Sequence, residues 1–542
     1  MEIPHAVLAG GWIPFTVVLV LTFIFSWVYI RLFQHHDSSK VASTLGSIIG
    51  LFITLLTIAL VPVDVFLVSY MKNPDGSFKD WVNDNSTRNS IESTVTYAYY
   101  TLYGLVGLFV FLVLPFMYFF FEDPEEDELS TKQKCCTSLK YTVVFLIIAF
   151  VILMTGAFVP LKTPSSQNIT GIDDKIDFLK DQLHQYTHAD QAMSIMVGVM
   201  SMFGMFTLIL YTGYGMSALP LGMIRCCRKY EETESNPRRV TKKERDADKL
   251  NALRTKSNSG RNLSRYERNE LRRLEQDERI QHRIDRKKSR VKNNCLGKAQ
   301  RILKPFEVVF GFAFLAISLL MMVSLTITNV DKELNSLGYK QGYSLPVPKL
   351  QNPVNIIMVY ASKVFPLDYV LFSGMALFFI FASMNGLKRM GIWCCCIRLF
   401  KIRTGRTMPQ ALLFMVFIMM FMVLGVTIVL FNITPQYVQY GNQMYQHHTT
   451  STNGTISTDV KKCTTDAPKG NCTMSSLALL LNTLFYKAWF FGAFYHWSIW
   501  FLLLVYYMAF LYNSFSIFRT RSEAEMIDSD DDESDEERLI TA

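Results

Sequence analysis

The chain has 542 residues, of which 50% are hydrophobic and only 18% are charged, with a formal net charge of +8. Charges normally make up about 25% of a globular chain; here they crowd into a few connectors between apolar blocks long enough to cross a bilayer. The chain also lacks the phosphate-binding loop, zinc-helix and nucleophile-elbow motifs, so it is not predicted to be an enzyme or to hydrolyse ATP. The composition therefore favours an all-α polytopic membrane protein over a set of soluble domains.

About nine transmembrane helices are predicted from the apolar blocks. Five lie in an N-terminal membrane region, 1–221, and four in a C-terminal membrane region, 305–513. A basic loop, 222–304, separates the two regions, and an acidic tail, 514–542, follows the last block. The first block is not predicted to be a cleaved signal peptide, because Arg31 follows it and no basic residue precedes it. The blocks are 10–32, 42–64, 95–121, 141–161, 192–221, 305–327, 364–387, 409–431 and 484–513, and 354–387 has room for an extra short element.

Basic residues predict which side of the membrane each connector faces, because Lys and Arg favour cytoplasmic connectors. The connector 388–407 has six basic residues and no acid, and the loop 222–304 holds 26 of the 54 basic residues against 12 acids. With an odd number of spans, the N-terminus is predicted to be luminal and the C-terminus cytosolic. The loop lacks a base-stacking aromatic pattern, so we expect contact with anionic lipid headgroups, or topology enforcement, and no nucleic-acid binding.

Asn-x-Ser/Thr triplets agree with this orientation. A sixth triplet, at Asn262, lies in the basic loop and is expected to stay unmodified. The other five lie in connectors assigned to the luminal side and are predicted glycosylation sites: Asn85, Asn168, Asn453, Asn471 and, close to the membrane, Asn432.

The second and seventh spans share an unusual motif. The stretch VPVDVFLVS covers residues 61–69 and FPLDYVLFS covers residues 365–373, so each span has an acid two residues after a proline. We expect each Pro-x-Asp segment to mark a helix end or break at the luminal edge of the membrane. Asp64 and Asp368 are then either solvated or capping residues, with Lys363 as a counter-ion for Asp368, or they line a polar cavity or bond a partner.

Cysteines follow the same division between the two sides. Cys463 and Cys472 lie in a luminal connector between triplets for glycosylation, where a disulfide is favoured. Metal binding there would need more ligands than His447 and His448 supply. A cluster beside a predicted cytosolic membrane end either carries palmitoyl groups or remains as unmodified thiols, and it comprises Cys394, Cys395 and Cys396.

The tail IDSDDDESDEERLITA is predicted to be disordered from its charge density. Ser529 and Ser534 lie in acidic surroundings that suit an acidophilic kinase. Asp535 precedes the pair Leu539 and Ile540 by four residues, a spacing that clathrin adaptors bind when they sort membrane proteins to endosomes and lysosomes. The alternative is a solvated acidic end without a sorting role.

The chain resembles the limb-region membrane protein family from its first span to its last, and the basic loop and tail are least alike. The stretches that carry the resemblance are VPVDVFLVSYMKNPDGSFKDW (61–81), MTGAFVPL (154–161), YTGYGMSALPL (211–221), KVFPLDYVLF (363–372), TMPQALLF (407–414) and TPQYVQYGNQ (434–443).

This resemblance implies a glycoprotein of the lysosomal membrane that is needed to release cobalamin into the cytosol. The family resemblance also implies passage through the endoplasmic reticulum and a minor pool at the plasma membrane. The partners it implies are a half-size ABC transporter of the peroxisomal type, cytosolic cobalamin-processing proteins, and clathrin adaptors in endocytosis of the insulin receptor.

Two roles stay open after this resemblance. The chain is either a non-enzymatic escort for the transporter, which the scarcity of ionisable residues in the spans favours, or a conduit for cobalamin itself. No cofactor is expected to bind stably, and cobalamin is the expected transported ligand. In the last span, Lys487 is expected to reach the luminal edge, and His496 is either a packing residue or an imidazole ligand for cobalt.

Overall fold

A computed structural model describes residues 5–35, 41–82, 84–121, 131–158, 188–234, 255–256 and 295–336, and, with gaps of one to five residues, 338–518. Within these residues nine helices are long and apolar enough to cross a membrane, and each overlaps one of the nine predicted blocks. The prediction of an all-α polytopic membrane protein is confirmed. The four-part division of the chain stays a prediction, because most of the basic loop and of the tail lies outside the described residues.

Helices account for most of the described chain. A turn of π-helix, Phe109–Val113, joins α3 to α4, so these two form one span. The short helix α8 is the extra element that the sequence allowed before the seventh span. The helices are α1 His5–Phe33, α2 Val41–Tyr70, α3 Asn85–Leu108, α4 Leu114–Phe120, α5 Thr131–Phe158, α6 His188–Glu234, α7 Cys295–Asn335, α8 Pro353–Ala361, α9 Leu367–Met390, α10 Pro409–Ile433, α11 Pro435–Tyr440, α12 Ser476–Lys487 and α13 Trp489–Phe518.

Two antiparallel hairpins lie in connectors between the spans. Strands β1 (Ile392–Cys394) and β2 (Ile397–Phe400) form a short hairpin after α9. Strands β3 (Met444–Thr450) and β4 (Ile456–Lys462) form a longer one after α11, with Met444 opposite Lys462.

Two helices run further than the sequence predicts. The prediction that the first Pro-x-Asp segment ends a helix is wrong, because α2 continues through Pro62 to Tyr70. A proline inside a membrane span is tolerated where neighbouring helices and side chains satisfy the freed backbone groups. The seventh helix, α7, continues to Asn335, eight residues beyond its predicted block. Both extensions carry polar residues of the candidate site.

The helix α10 is the most enclosed of the described spans. In an apolar stretch of 18 residues from each helix, 83% are buried in α10, against 67% in α2 and 17% in Thr16–Phe33 of α1. The helices α2 and α10 pack along each other. Apolar side chains that stay exposed on α1 and α5 suit contact with lipid. The pair α2 and α10 therefore forms the centre from which the candidate site is built.

Small residues let α6 approach two neighbouring spans closely. Gly204 of α6 lies against Gly425 of α10, and Gly215 of α6 lies near Gly386 of α9. A Cβ atom at Gly204, Gly215 or Gly386 would collide with the facing backbone.

Contacts between residues divide the chain into two compact units. One contains residues 1–218 and 318–512, and the other contains residues 219–317 and 513–542. Both hairpins and all the residues of the candidate site belong to the first unit.

Candidate functional site: a connector held by buried carboxylates

The connector 434–477 joins α10 to α12 and contains α11 and the β3–β4 hairpin. Cys463 and Cys472 are joined by a disulfide, with their Cα atoms 5.9 Å apart. The Cys463 amide donates to the Gln443 carbonyl at 3.0 Å. The Gln443 side chain donates to the Thr473 carbonyl at 2.6 Å and accepts from its amide at 3.0 Å. These bonds tie the end of the connector back to its beginning.

Asp64 of α2 holds the end of the connector. Its carboxylate is 1% exposed and accepts the backbone N–H groups of Leu477 at 2.9 Å and Ser476 at 3.3 Å. These two amides belong to the first turn of α12, where helical N–H groups have no partner within the helix and the helix dipole is positive. Asp64 therefore caps a helix that begins more than four hundred residues later in the chain.

Asp368 holds the start of the connector. Its buried carboxylate, in the first turn of α9, accepts the Tyr437 hydroxyl at 3.0 Å and also bonds the side-chain amide of Asn442. Burial, and next the Asp368 charge, raises the pKa of Tyr437 well above its usual range, so this phenol stays protonated and remains a donor. The expected counter-ion, Lys363, lies over the Tyr360 ring at 5.0 Å instead.

The end of α2 and the residues after it bind the middle of the connector. The backbone N–H of Asn442 donates to the Ser69 hydroxyl at 3.0 Å. Beside it Gly441 has φ +56°, a conformation that glycine adopts without strain. The Lys72 ammonium donates to the Met444 carbonyl at 3.0 Å and also bonds the Asn471 carbonyl. Burial, and next the charge of Arg88, lowers the pKa of Lys72 to about 8.

The two Pro-x-Asp motifs thus serve the same connector from two different spans. Neither Asp64 nor Asp368 has an acidic side chain as a hydrogen-bond partner, and the donors to both carboxylates come from the connector and from the start of α12. This arrangement can hold the hairpin, and the disulfide-closed segment that follows it, in one position against the ends of the spans. Both carboxylates are occupied by the chain itself.

A second polar group, the His496 cluster, lies between the ends of α7, α10 and α13. The His496 Nε2 atom is 2.7 Å from a carboxylate oxygen of Glu333, and the imidazole stacks on the Tyr343 ring at 4.1 Å. The Lys332 ammonium bonds the side-chain oxygen of Asn432. Glu333 is about half exposed, at 48% of its side chain, and the buried Nδ1 atom of His496 has no hydrogen-bond partner. The cluster is therefore less saturated than the sites around Asp64 and Asp368.

The two described glycosylation triplets with resolved side chains differ in exposure. Asn432 is 2% exposed; its side-chain nitrogen donates to the Ile428 carbonyl at 2.8 Å and its oxygen accepts from Lys332. A glycan needs that nitrogen, so we expect Asn432 to stay unmodified, which revises the expectation from its sequence. Asn471 is half-buried in the connector. Asn85 is the first residue of α3, and its side chain lies outside the described part of the chain.

For several predicted site residues the structure describes only the backbone, or nothing. His447 and His448 are placed in β3, Cys394 in β1 and Lys487 at the end of α12, by backbone only. Within the described residues, no three His, Cys, Asp or Glu side chains converge as metal ligands would. Not described at all are Asn168, Asn262, Asn453, Cys395, Cys396, Ser529, Ser534, Asp535, Leu539 and Ile540.

Sequence reasoning missed Lys332 and Glu333. The predicted sixth block ended at residue 327, so the charged stretch NVDKELN was assigned to a connector. The available signal was the helical spacing of the apolar residues before this stretch. It could have been followed past residue 327, because α7 continues without a break to Asn335.

The chain is similar to a family model over its first half and to known proteins over its full length. A family model described as LMBR1-like membrane protein matches residues 11–295. A Nematostella vectensis protein named probable lysosomal cobalamin transporter is 47% identical over 100% of both chains. Proteins named lysosomal cobalamin transport escort protein LMBD1 are 39% identical in Danio rerio, over 99% of both chains, and 38% identical in Bos taurus, over 98% of this chain and 97% of the relative. No solved structure matches the chain.

Proposed function

Since the chain belongs to the LMBR1-like membrane protein family, we propose that it serves export of cobalamin from the lysosome as a non-enzymatic escort for a membrane transporter. The observation that carries this proposal is identity of 38–47% along the whole chain to proteins named for lysosomal cobalamin transport or its escort. Because the similarity extends over the full length, it indicates that the spans and connectors share one architecture. A single shared motif would not give similarity over the whole chain.

The polar groups of the described spans favour an escort over a conduit. A path for a bulky, polar corrinoid needs polar groups that are free to contact it, whereas Asp64 and Asp368 are buried and bonded to the connector.

The proposed partner is a half-size ABC transporter, which would supply the ATP hydrolysis that this sequence has no motif for. An escort also needs a surface that is ordered before the partner arrives, because ordering on binding costs affinity. The connector 434–477 meets this need, since a disulfide closes the segment that follows its hairpin and buried carboxylates bind both of its ends.

The proposed topology puts the connector in the lysosomal lumen and the tail in the cytosol. Glycans at Asn85, Asn168, Asn453 and Asn471 go with this orientation. Glycosidase treatment of Asn→Gln variants tests it: loss of one glycan is expected for Asn471→Gln and no change for Asn432→Gln. Retention of every glycan in Asn471→Gln would contradict the luminal assignment of the connector.

The proposed lysosomal address is the tail segment with Asp535, Leu539 and Ile540. Two adjacent aliphatic side chains fit an apolar adaptor pocket, and phosphate on Ser534 would add negative charge next to Asp535. Adaptor binding by this segment also underlies the proposed endocytic role. Changing Leu539 and Ile540 to Ala should shift the protein from lysosome to cell surface, and unchanged localisation would remove the segment from the proposal.

Cells that lack the chain test the escort role. The expected result is that the ABC partner stays in the endoplasmic reticulum and cobalamin accumulates in lysosomes, with both defects corrected by the wild-type chain. The exposed Asp75→Ala variant should correct them equally well. Arrival of the partner in lysosomes without the chain would contradict the proposal.

The second candidate function is transport of cobalamin by the chain itself. The name of the Nematostella vectensis relative, a probable lysosomal cobalamin transporter, favours it. A path for cobalamin can be lined by backbone and hydroxyl groups that carry no charge. The hydrogen bonds of Asp64 and Asp368 therefore do not by themselves decide between an escort and a transporter. Flux through the purified chain separates them.

A further inference from the structure

A groove of about 520 Å³ lies between α1 and α2, away from the connector and from the His496 cluster. Four of its apolar wall residues are between 42% and 51% exposed, and Val41 is 75% exposed, as expected for a surface that faces lipid. The apolar wall consists of Phe23, Trp27, Val41, Leu45, Ile48 and Ile49.

One end of this groove is polar. Gln34 is 2% exposed; its side-chain nitrogen donates to the Thr44 hydroxyl at 2.7 Å, while its side-chain oxygen has no hydrogen-bond partner. A buried acceptor without a partner costs free energy unless a ligand or water supplies a donor. Arg31, in the last turn of α1, lines the same groove. Within the described part of the chain, Arg31 forms no ion pair.

The polar end is held in place by backbone bonds. Beside Gln34, the His35 amide donates to the Thr407 carbonyl at 3.0 Å, and the Thr407 amide donates to the Phe33 carbonyl at 3.1 Å. These bonds fix the backbone of Gln34 beside the groove, and the bond from its side-chain nitrogen to Thr44 holds the side chain there. Arg31 lies in the last turn of α1, at the end of the span, where lipid phosphates are found.

We propose that this groove binds one glycerophospholipid of the surrounding bilayer, whose headgroup carries an N–H or O–H donor. An acyl chain lies along the apolar wall, the phosphate pairs with Arg31, and the headgroup donor bonds the Gln34 oxygen. The Lys388 ammonium, 5.5 Å from the Phe33 ring, adds positive charge at the same end of α1. Basic pockets between membrane helices bind lipid headgroups in this way.

The unpaired acceptor predicts which headgroups bind. Ethanolamine, serine and inositol headgroups have N–H or O–H donors, whereas the quaternary ammonium of choline has none. A phosphatidylcholine would leave the Gln34 oxygen unpaired. Phosphatidylethanolamine and phosphatidylcholine with identical acyl chains are therefore the discriminating pair of probes.

Native mass spectrometry of the purified full-length chain tests this proposal, with the two lipids added in equal amounts. We expect one bound phosphatidylethanolamine, favoured about tenfold over phosphatidylcholine, since that is the effect of one buried hydrogen bond. Gln34→Leu should remove the preference, and Arg31→Gln should weaken binding of both lipids about tenfold. Arg389→Gln is the matched control, because it removes a charge from an exposed residue at the end of α9, outside the groove.

Three results would overturn the proposal. These are equal binding of the two lipids by the wild-type chain, equal weakening by Arg389→Gln and Arg31→Gln, and displacement of the lipid by millimolar inorganic phosphate, which would indicate a free anion site. Should Gln34→Leu fail to fold, Ile49→Trp fills the groove from its exposed wall. Retention of the lipid by Ile49→Trp would likewise contradict binding in the groove.

Discussion

The connector site and the His496 cluster place the same kinds of polar residue at span ends, yet they differ in how completely these residues are bonded. Asp64 and Asp368 are each about 1% exposed and each accept two donors. Glu333 is half exposed, and its partner His496 keeps one unbonded ring nitrogen. The connector site therefore fixes a structure, whereas the His496 cluster keeps polar groups that can still bind water or a partner.

This difference shows that an acid in a membrane span is not a functional site by default. The position and chemistry of Asp64 match those of a coupling residue in a transporter. Its partners instead are two backbone amides at the start of α12, a helix that needs a cap. Hydrogen-bond saturation, and not burial alone, separates a structural acid from one that is available for binding.

The largest effect is expected for Asp64→Ala. Removing the carboxylate leaves two buried N–H groups without an acceptor, which should lower the free energy of unfolding by about 3 kcal/mol. Denaturant unfolding in detergent measures this change. The control is Asp75→Ala, which removes an exposed carboxylate that accepts the Ser77 N–H and hydroxyl in the turn after α2. Equal stability of the two variants would show that Asp64 does not cap α12.

A smaller loss is expected for Asp368→Ala. The Tyr437 hydroxyl and the Asn442 side chain lose their acceptor, but Asn442 is only part-buried and can bond water instead, so we expect about 2 kcal/mol. Tyr437→Phe should cost about 1 kcal/mol, because Asn442 still bonds the carboxylate. A double-mutant cycle measures the coupling, and additive effects of the two changes would argue against this contact.

Glu333→Gln should cost only about 0.5–1 kcal/mol, because water screens a half-exposed carboxylate and an amide oxygen still accepts from His496. The same unfolding measurement applies, and His496→Phe tests the other partner. A loss as large as that of Asp64→Ala would remove the contrast between the two regions.

The pH dependence of stability gives the finest test of the connector. Burial, and next the charge of Arg88, lowers the pKa of Lys72 from 10.5 to about 8 in the folded chain. Between these two values the unfolded chain binds more protons, so stability should rise as pH increases from about 8 to about 10.5. Lys72→Met should flatten this rise. An unchanged slope in Lys72→Met would assign the rise to another group.

The spans could be predicted from the sequence because hydrophobic blocks report lipid contact directly. The ends of the helices could not: α2 passes through Pro62, and α7 continues to Asn335, since packing against neighbours outweighs local signals. The short α8 was foreseen only as room for an extra element.

The candidate site was predictable only in part. The Pro-x-Asp repeat pointed to both carboxylates, and the two connector cysteines pointed to their disulfide. The partners of Asp64 lie 412 and 413 residues away, and no local pattern encodes such a contact. Lys363 was the expected counter-ion for Asp368, because it is close in sequence. In the structure Asp368 instead accepts hydrogen bonds from Tyr437 and Asn442.

Cobalamin flux into liposomes tests the central claim most directly. The purified full-length chain is reconstituted alone, with its ABC partner, or not at all, and uptake of labelled cobalamin is followed with ATP present. An escort predicts no saturable flux for the chain alone and ATP-dependent flux only where the partner is present. Saturable flux through the chain alone would contradict the escort account and establish the chain as the conduit.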